Sequence, residues 1–254
     1  MPKRIHASLV HLCVSVFLVS SVLLFVVLLW YPGIYFQAMG VSKMLLILAS
    51  VDVTIGPLIT LIIFVPGKKG LKFDLIVIAI LQLMALSYGA YMVFAGRPVY
   101  SVYNVGMFTL VSATEIHPAA LKNAQIHRLP ISGPKIVGAR MPANSKERQG
   151  ILFSALDGGA DLPQLPQYYL PYQELADEVK TRLWSLDVLI QRQPKAKANQ
   201  VRALINDAVR ENGLQIADVG FIPMRAKVHD LTVMVRRSDA SIVAILPLDP
   251  WGAS

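Results

Sequence analysis

Three long apolar runs within the first 95 residues limit what this chain can fold into more than any other feature. Ala7 to Leu29 runs for 23 residues without a formal charge unless His11 is protonated. Met44 to Val65 gives 22 residues with the one acid Asp52, and Leu75 to Ala95 gives 21 with none. As helices rising about 1.5 Å per residue, each would cross a hydrocarbon core of about 30 Å. Buried core helices of a soluble protein could share this composition, but not three in succession.

Composition divides the chain in two. Residues 1–95 hold two acids, Asp52 and Asp74, and six Lys/Arg, whereas residues 96–254 hold 14 acids and 18 Lys/Arg. The first part, residues 1–96, reads as a transmembrane domain with spans at about 7–29, 44–65 and 75–95. The second, residues 97–254, reads as a soluble domain. The net charge of +8 falls evenly on the two parts. Neither is a concentrated nucleic-acid patch, and the only acidic partner the charge implies is a lipid headgroup. Cys13 is the only cysteine, which excludes a disulfide scaffold.

Orientation follows from the basic residues. Lys3 and Arg4 precede the first span, and Lys68, Lys69 and Lys72 crowd the loop between the second and third. Lys43 and Arg97 stand on the other side. The positive-inside rule therefore places the N-terminus and the KKGLK loop in the cytoplasm and the C-terminal domain outside, in the periplasm of a two-membrane bacterium. Trp30, Tyr31 and Tyr35, and again Tyr88 and Tyr91, suit an aromatic belt at the outer interface. A cleaved signal peptide fits the first run less well, because the run is too long and no A-x-A site follows it.

Asp52 is the most informative single residue. A carboxylate near a span centre costs about 2.5–3.5 kcal/mol on insertion scales. By depth, Ser87 and Tyr88 of the third span and Ser20 and Ser21 of the first are natural partners for it. Two readings stand: a site for a partner helix or a proton, and a polar clasp inside a three-helix bundle. Gly56-Pro57 predicts a kink mid-span, with Thr54 and Thr60 near enough to satisfy freed backbone groups. Gln82 is a further candidate for an interhelical hydrogen bond. One acid and three spans without a repeat argue against a transporter.

The soluble part reads as an α+β domain with a small, mostly antiparallel sheet. Val99–Val105 and Met107–Ala113 predict a strand pair turned near Gly106, and Lys135–Arg140 a further strand. Helices are expected over 115–124, 144–156, 171–192 and 195–212, the third being the longest, with the apolar stripe Leu175, Val179, Leu186, Leu189 and Ile190. Three strands close the chain, at 221–227, 231–237 and 242–246. Tyr168, Tyr169 and Tyr172, with Pro171, offer rigid amphipathic surface suited to a partner, or else they cover the domain's own core. Trp251 in the terminal LPLDPWG is either docked or a partner contact.

No catalytic pattern is present. His117, His127 and His229 lack ligand spacing, and no G-x-S-x-G, Walker or G-x-G-x-x-G motif occurs. The chain is therefore expected to be no enzyme and to have no catalytic residue, cofactor or metal.

Six segments then stand out together: WYPG (Trp30–Gly33), VDVTIGPLITLIIF (Val51–Phe64), PGKKGLKFDL (Pro66–Leu75), GRPVY (Gly96–Tyr100), LPQYYLPY (Leu165–Tyr172) and LPLDPWG (Leu246–Gly252). In combination they resemble the type IV pilin accessory proteins of the TfpX/TfpZ kind. The resemblance implies an inner-membrane protein that supports pilus assembly or function. Its partners would be the major type IV pilin and other inner-membrane assembly components. The alternative is an envelope sensor that binds a ligand outside and signals across the membrane.

Overall fold

Residues 2–252 are described by a computed structural model. Contacts divide them into two units: one runs up to Phe36 and resumes over Gly40–Arg97, and the other holds Gln37–Met39 and everything from Pro98.

In the first unit, helix α1 (Pro2–Phe25) continues into a π-helical turn, Val26–Trp30. The short helix α2 (Tyr35–Ala38) follows, its last two residues belonging to the second unit. The second apolar run forms α3 (Val41–Ser50), a π-helical turn at Val51–Ile55, and α4 (Gly56–Ile63). Helix α5 (Leu71–Ala95) is continuous. Pro57 explains the interruption. It has no N–H for the Val53 carbonyl, and its ring crowds that carbonyl. The widened turn directly ahead of it absorbs both problems. Three stretches, Lys3–Trp30, Val41–Ile63 and Leu71–Ala95, are long and apolar enough to cross a membrane. All three begin before the apolar runs do. Gly40 and Gly70, at φ +68° and +87°, start the second and third. The second ends short of Pro66, at Ile63.

These helices carry their apolar side chains outward. Phe17, Leu46, Ile47, Ile62 and Phe73 are all about two-thirds exposed or more, an arrangement that only an apolar solvent tolerates. Inside, small residues let backbones approach. A Cβ on Gly89 would lie 2.4 Å from Leu48 Cδ1, so α3 and α5 meet there. Where the first stretch ends, Trp30 packs on Phe25 and Phe94 at 5.3 and 4.9 Å between centroids. Tyr31 donates a 2.8 Å hydrogen bond to the Val93 carbonyl.

The second unit is built on one mixed sheet, larger than the sequence suggests. Strands β1 (Pro98–Asn104) and β2 (Met107–Ser112) form the expected hairpin. Then come β3 (Lys135–Ala139), β4 (Tyr169–Leu170), β5 (Val219–Arg225), β6 (Leu231–Arg236) and β7 (Ile242–Leu246). Among the described residues the order is β4-β3-β1-β2-β5-β6-β7. The pairs β1–β3 and β2–β5 are parallel and the other four antiparallel. The single β2–β5 contact fuses the N-terminal hairpin to the C-terminal meander.

Helices lie over this sheet as two groups. Helices α6 (Pro118–Asn123) and α7 (Ser145–Leu156) serve β1–β3, where Val99, Val102, Val111, Ile116, Ala139 and Ile151 form one core. The expected long helix over 171–192 does not form as one piece. A 3₁₀ turn at Tyr172–Leu175 leads into α8 (Ala176–Arg182), and α9 (Leu186–Gln191) follows a break. At the break Trp184 exchanges backbone hydrogen bonds with Phe221 of β5, at 2.8 and 3.0 Å, and Ser185 caps α9. Helix α10 (Ala198–Glu211) buries Val201, Ile205 and Val209 at i, i+4 and i+8, and these join Leu189, Phe221, Met234 and Leu246 in a second core.

Candidate functional site

Side chains from all three membrane helices meet at one polar cluster. His11 of α1 places Nδ1 2.6 Å from Thr60 Oγ1 of α4 and Nε2 2.5 Å from Gln82 Oε1 of α5. The Gln82 amide donates through Nε2 to the Asp52 carbonyl at 3.2 Å, which fixes its Oε1 as the atom facing His11. An amide oxygen can only accept, so His11 Nε2 carries hydrogen. In the neutral ring Nδ1 then accepts from the Thr60 hydroxyl. Ser8 Oγ donates to the Pro57 carbonyl at 2.8 Å. Gly56 makes room for the cluster, because a Cβ there would lie 1.9 Å from Gln82 Nε2.

Asp52 lies in the π-helical turn and is 3% exposed. Neither carboxylate oxygen has a hydrogen-bond partner among the described residues. Asp52 lines a cavity of about 130 Å³ together with His11, Ser15 and Gln82 and otherwise apolar side chains such as Val19 and Leu86. A wider groove of about 890 Å³ runs from His11 and Thr60 past Val10 and Phe64 to His6 and Lys3. His11, Val14 and Ala79 line both spaces, so His11 stands at their junction.

The residues expected near Asp52 by depth are not those that meet it. Ser87 and Tyr88 point outward, Tyr88 being 67% exposed. Depth along a helix leaves the rotation about its axis open, and α5 turns Gln82 inward instead. Ser21 is likewise outward and bonds the Phe17 carbonyl of its own helix. The site residue missed in the sequence is His11. The signal was there: Ser8, His11 and Ser15 stand at i, i+3 and i+7, a polar stripe on one face of the first apolar run. Gly56 and Pro57 are both buried and sit where the helix changes register.

In the soluble unit the tyrosine segment faces inward. Tyr172 is 6% exposed, its ring packs edge-on to Tyr103, and its hydroxyl donates to the Ala240 carbonyl at 2.9 Å. It belongs to the core and presents no partner surface, a correction that follows from its burial. Tyr169 is half-buried, with its ring 5.1 Å from Tyr100 and its hydroxyl bonded to the Pro163 carbonyl. Tyr168 packs on the same core. Burial pushes the Tyr169 and Tyr172 phenols well above the usual range, with Tyr100 and Tyr103, respectively, adding to the effect. Trp251 is docked. Its Nε1 donates to Asp230 at 2.9 Å, its ring meets Trp184 edge-on at 5.6 Å, and the Arg192 guanidinium lies 4.3 Å above the Trp184 ring. Thr232 and Gln193 bond the Leu248 and Asp249 carbonyls of the same tail. Trp251 nevertheless keeps 37% exposure, and three further exposed apolar side chains, Leu152, Phe153 and Leu156, stand together on α7. Among the described residues no three His, Cys, Asp or Glu come together as a metal site.

Three apolar helices gathered round a buried acid, with an α+β domain after them, define the class: a membrane protein of three candidate spans and one mixed-sheet domain. Its sequence matches fimbrial assembly proteins of Dichelobacter nodosus. The serogroup E1 and serogroup I proteins are each 26% identical over 219 residues, 85% of this chain and 83% of theirs. The protein of serogroups C1 and C2 is 30% identical over 109 residues, 42% of this chain and 83% of its own length. No family model and no solved structure matches. The chain belongs to this family of fimbrial assembly proteins.

Proposed function

We propose that this protein is an inner-membrane accessory factor of the type IV pilus system, of the TfpX/TfpZ kind, that handles the major pilin by direct contact and without catalysis. Its helices engage the pilin's membrane helix, its outer domain engages the pilin head, and other inner-membrane assembly components complete the machine. The supporting observation is the reach of the likeness to fimbrial assembly proteins. A match of 219 residues is longer than the soluble unit, so it takes in part of the helical unit as well. The charge pattern of the loops supports the cytoplasmic N-terminus and periplasmic domain that this role requires.

In-cell photo-crosslinking tests the reading. One probe replaces Ile55, exposed on the turn that carries Asp52, and another replaces Phe153, 65% exposed on α7. A pilin adduct at either position is expected, and the position shows which compartment carries the contact. Expressed and reactive probes without a pilin adduct at both positions would overturn direct handling in favour of a sensor or regulator acting on another component.

A further inference from the structure

We propose that Asp52 is an exchangeable proton site inside the membrane helices, reached from the Lys3 end of the groove through His11. This goes beyond pilin handling and stands or falls independently of it. Both Asp52 oxygens are buried and unpartnered, and the residue lines a cavity, so the structure leaves its acceptor capacity open. At about 130 Å³ the cavity has room for water. Its lining does not suit a metal cation. Besides the carboxylate it offers the Ser15 hydroxyl, while Gln82 Oε1 already faces His11 and the rest is largely apolar. Hard cations take about six or more oxygen ligands. A proton needs only the carboxylate and a carrier.

The carrier is in place. His11 from α1 is the one imidazole lining both spaces, and its ring nitrogens contact Thr60 and Gln82. From α5 only Gln82 faces the site with a polar side chain, and Lys3 and His6 line the far groove. A proton from groove water adds to His11 Nδ1 when the Thr60 hydroxyl turns away. The Nε2–H bond of the imidazolium then breaks, its proton passes through cavity water to form an O–H bond on Asp52, and the neutral ring, left with hydrogen on Nδ1, returns to the Nε2–H tautomer by exchange with water. Asp52 also sits in a π-helical turn, a local geometry frequent at functional sites because it re-aims side chains out of the regular ladder.

Dicyclohexylcarbodiimide adds to protonated carboxyl groups in apolar surroundings and leaves a stable N-acylurea. The full chain, in proteoliposomes with the pH set separately on each side, would be treated with it and mapped by peptide mass spectrometry. The expected result is an adduct on Asp52 and none on Asp74, which is paired with Lys68 at 2.7 Å. Labelling should fall as the pH at the Lys3 end rises, and it should lose that sidedness in His11→Gln with the helical content unchanged. Absence of an Asp52 adduct at every pH where the protein stays folded would overturn the proposal. So would suppression of labelling by sodium or potassium at fixed pH, which would mark a cation site. So would an unaltered response in His11→Gln.

Discussion

Val105 stands at φ +45°, the first of two left-handed residues in the β1–β2 turn, with Gly106 at +81°. That geometry suits the twist of a hairpin but is unfavourable for a β-branched side chain. The residue is 64% exposed, so replacing it sacrifices little packing. Val105→Asn is expected to stabilise the protein by about 1 kcal/mol, read as a rise in thermal midpoint by circular dichroism. Tyr103 lies at the other end of the scale, fully buried between Phe108 and Tyr172. Burial, with the nearby Glu178 adding to it, pushes its phenol from 10.0 up to about 12. The folded state therefore holds a proton that the unfolded state releases. Stability should be unaffected by this group below pH 10 and should fall as pH rises from 10 towards 12. Alkaline unfolding followed by tyrosinate absorbance checks this, and in Tyr103→Phe the fall should be smaller. The intramembrane polar site shows the same dependence on surroundings. Asp52 was conspicuous as a lone acid, whereas His11 gains its meaning only from Thr60 and Gln82.

Among the elements, the C-terminal tail is the most exposed to a single change. Gly252 sits at φ +71°, and a Cβ there would lie 2.1 Å from the Arg192 backbone oxygen. No flexible side-chain end can yield at that contact. Gly252→Ala is expected to cost about 1–3 kcal/mol and to loosen the Trp251–Trp184–Arg192 stack. The measurement is tryptophan fluorescence, with a red shift of the emission at temperatures where the rest of the domain stays folded. An unchanged spectrum and midpoint would show that the tail contributes nothing to the fold. The broken helix over 171–192 carries the complementary lesson. Leu175, Val179, Leu186, Leu189 and Ile190 fit one helical stripe. The interruption comes from Trp184, which pairs with Phe221, 37 positions away. Local periodicity contains no trace of that pairing. The two-residue strand β4 was equally invisible, because it exists only through Gly138 and Ala139 of β3.

For the whole molecule, the balance of Lys and Arg sets a testable topology. In a Cys13→Ser background, a cysteine replacing Lys69 is expected to react only with reagent on the cytoplasmic side. A cysteine replacing exposed Asp239 should react from the periplasm in intact cells. Labelling of both from the same side would overturn the orientation and with it the two-compartment contact to pilin. The soluble unit also recruits Gln37–Met39 from the loop between the first two membrane helices. The Ala38 carbonyl accepts hydrogen bonds from the backbone N–H groups of Val228 and His229 at 2.9 and 3.2 Å. That loop is therefore part of the domain's fold, a long-range contact with no signature in the composition of the loop.

The sequence by itself determined that three helices long and apolar enough to cross a membrane precede an α+β domain, and it determined the first hairpin and the closing strands. Those features rest on hydrophobicity summed over many neighbouring residues and on turn chemistry, both local quantities. Only the tertiary structure decided that Gln82 and His11, rather than Ser87 and Tyr88, surround Asp52. It also turned Tyr172 into core, docked Trp251, divided the longest expected helix and joined two strand groups into one sheet. Each of these depends on the rotation of a helix or on a partner tens of residues away. The energy that selects among such arrangements comes from burial and hydrogen bonding between segments, which no single stretch of sequence contains.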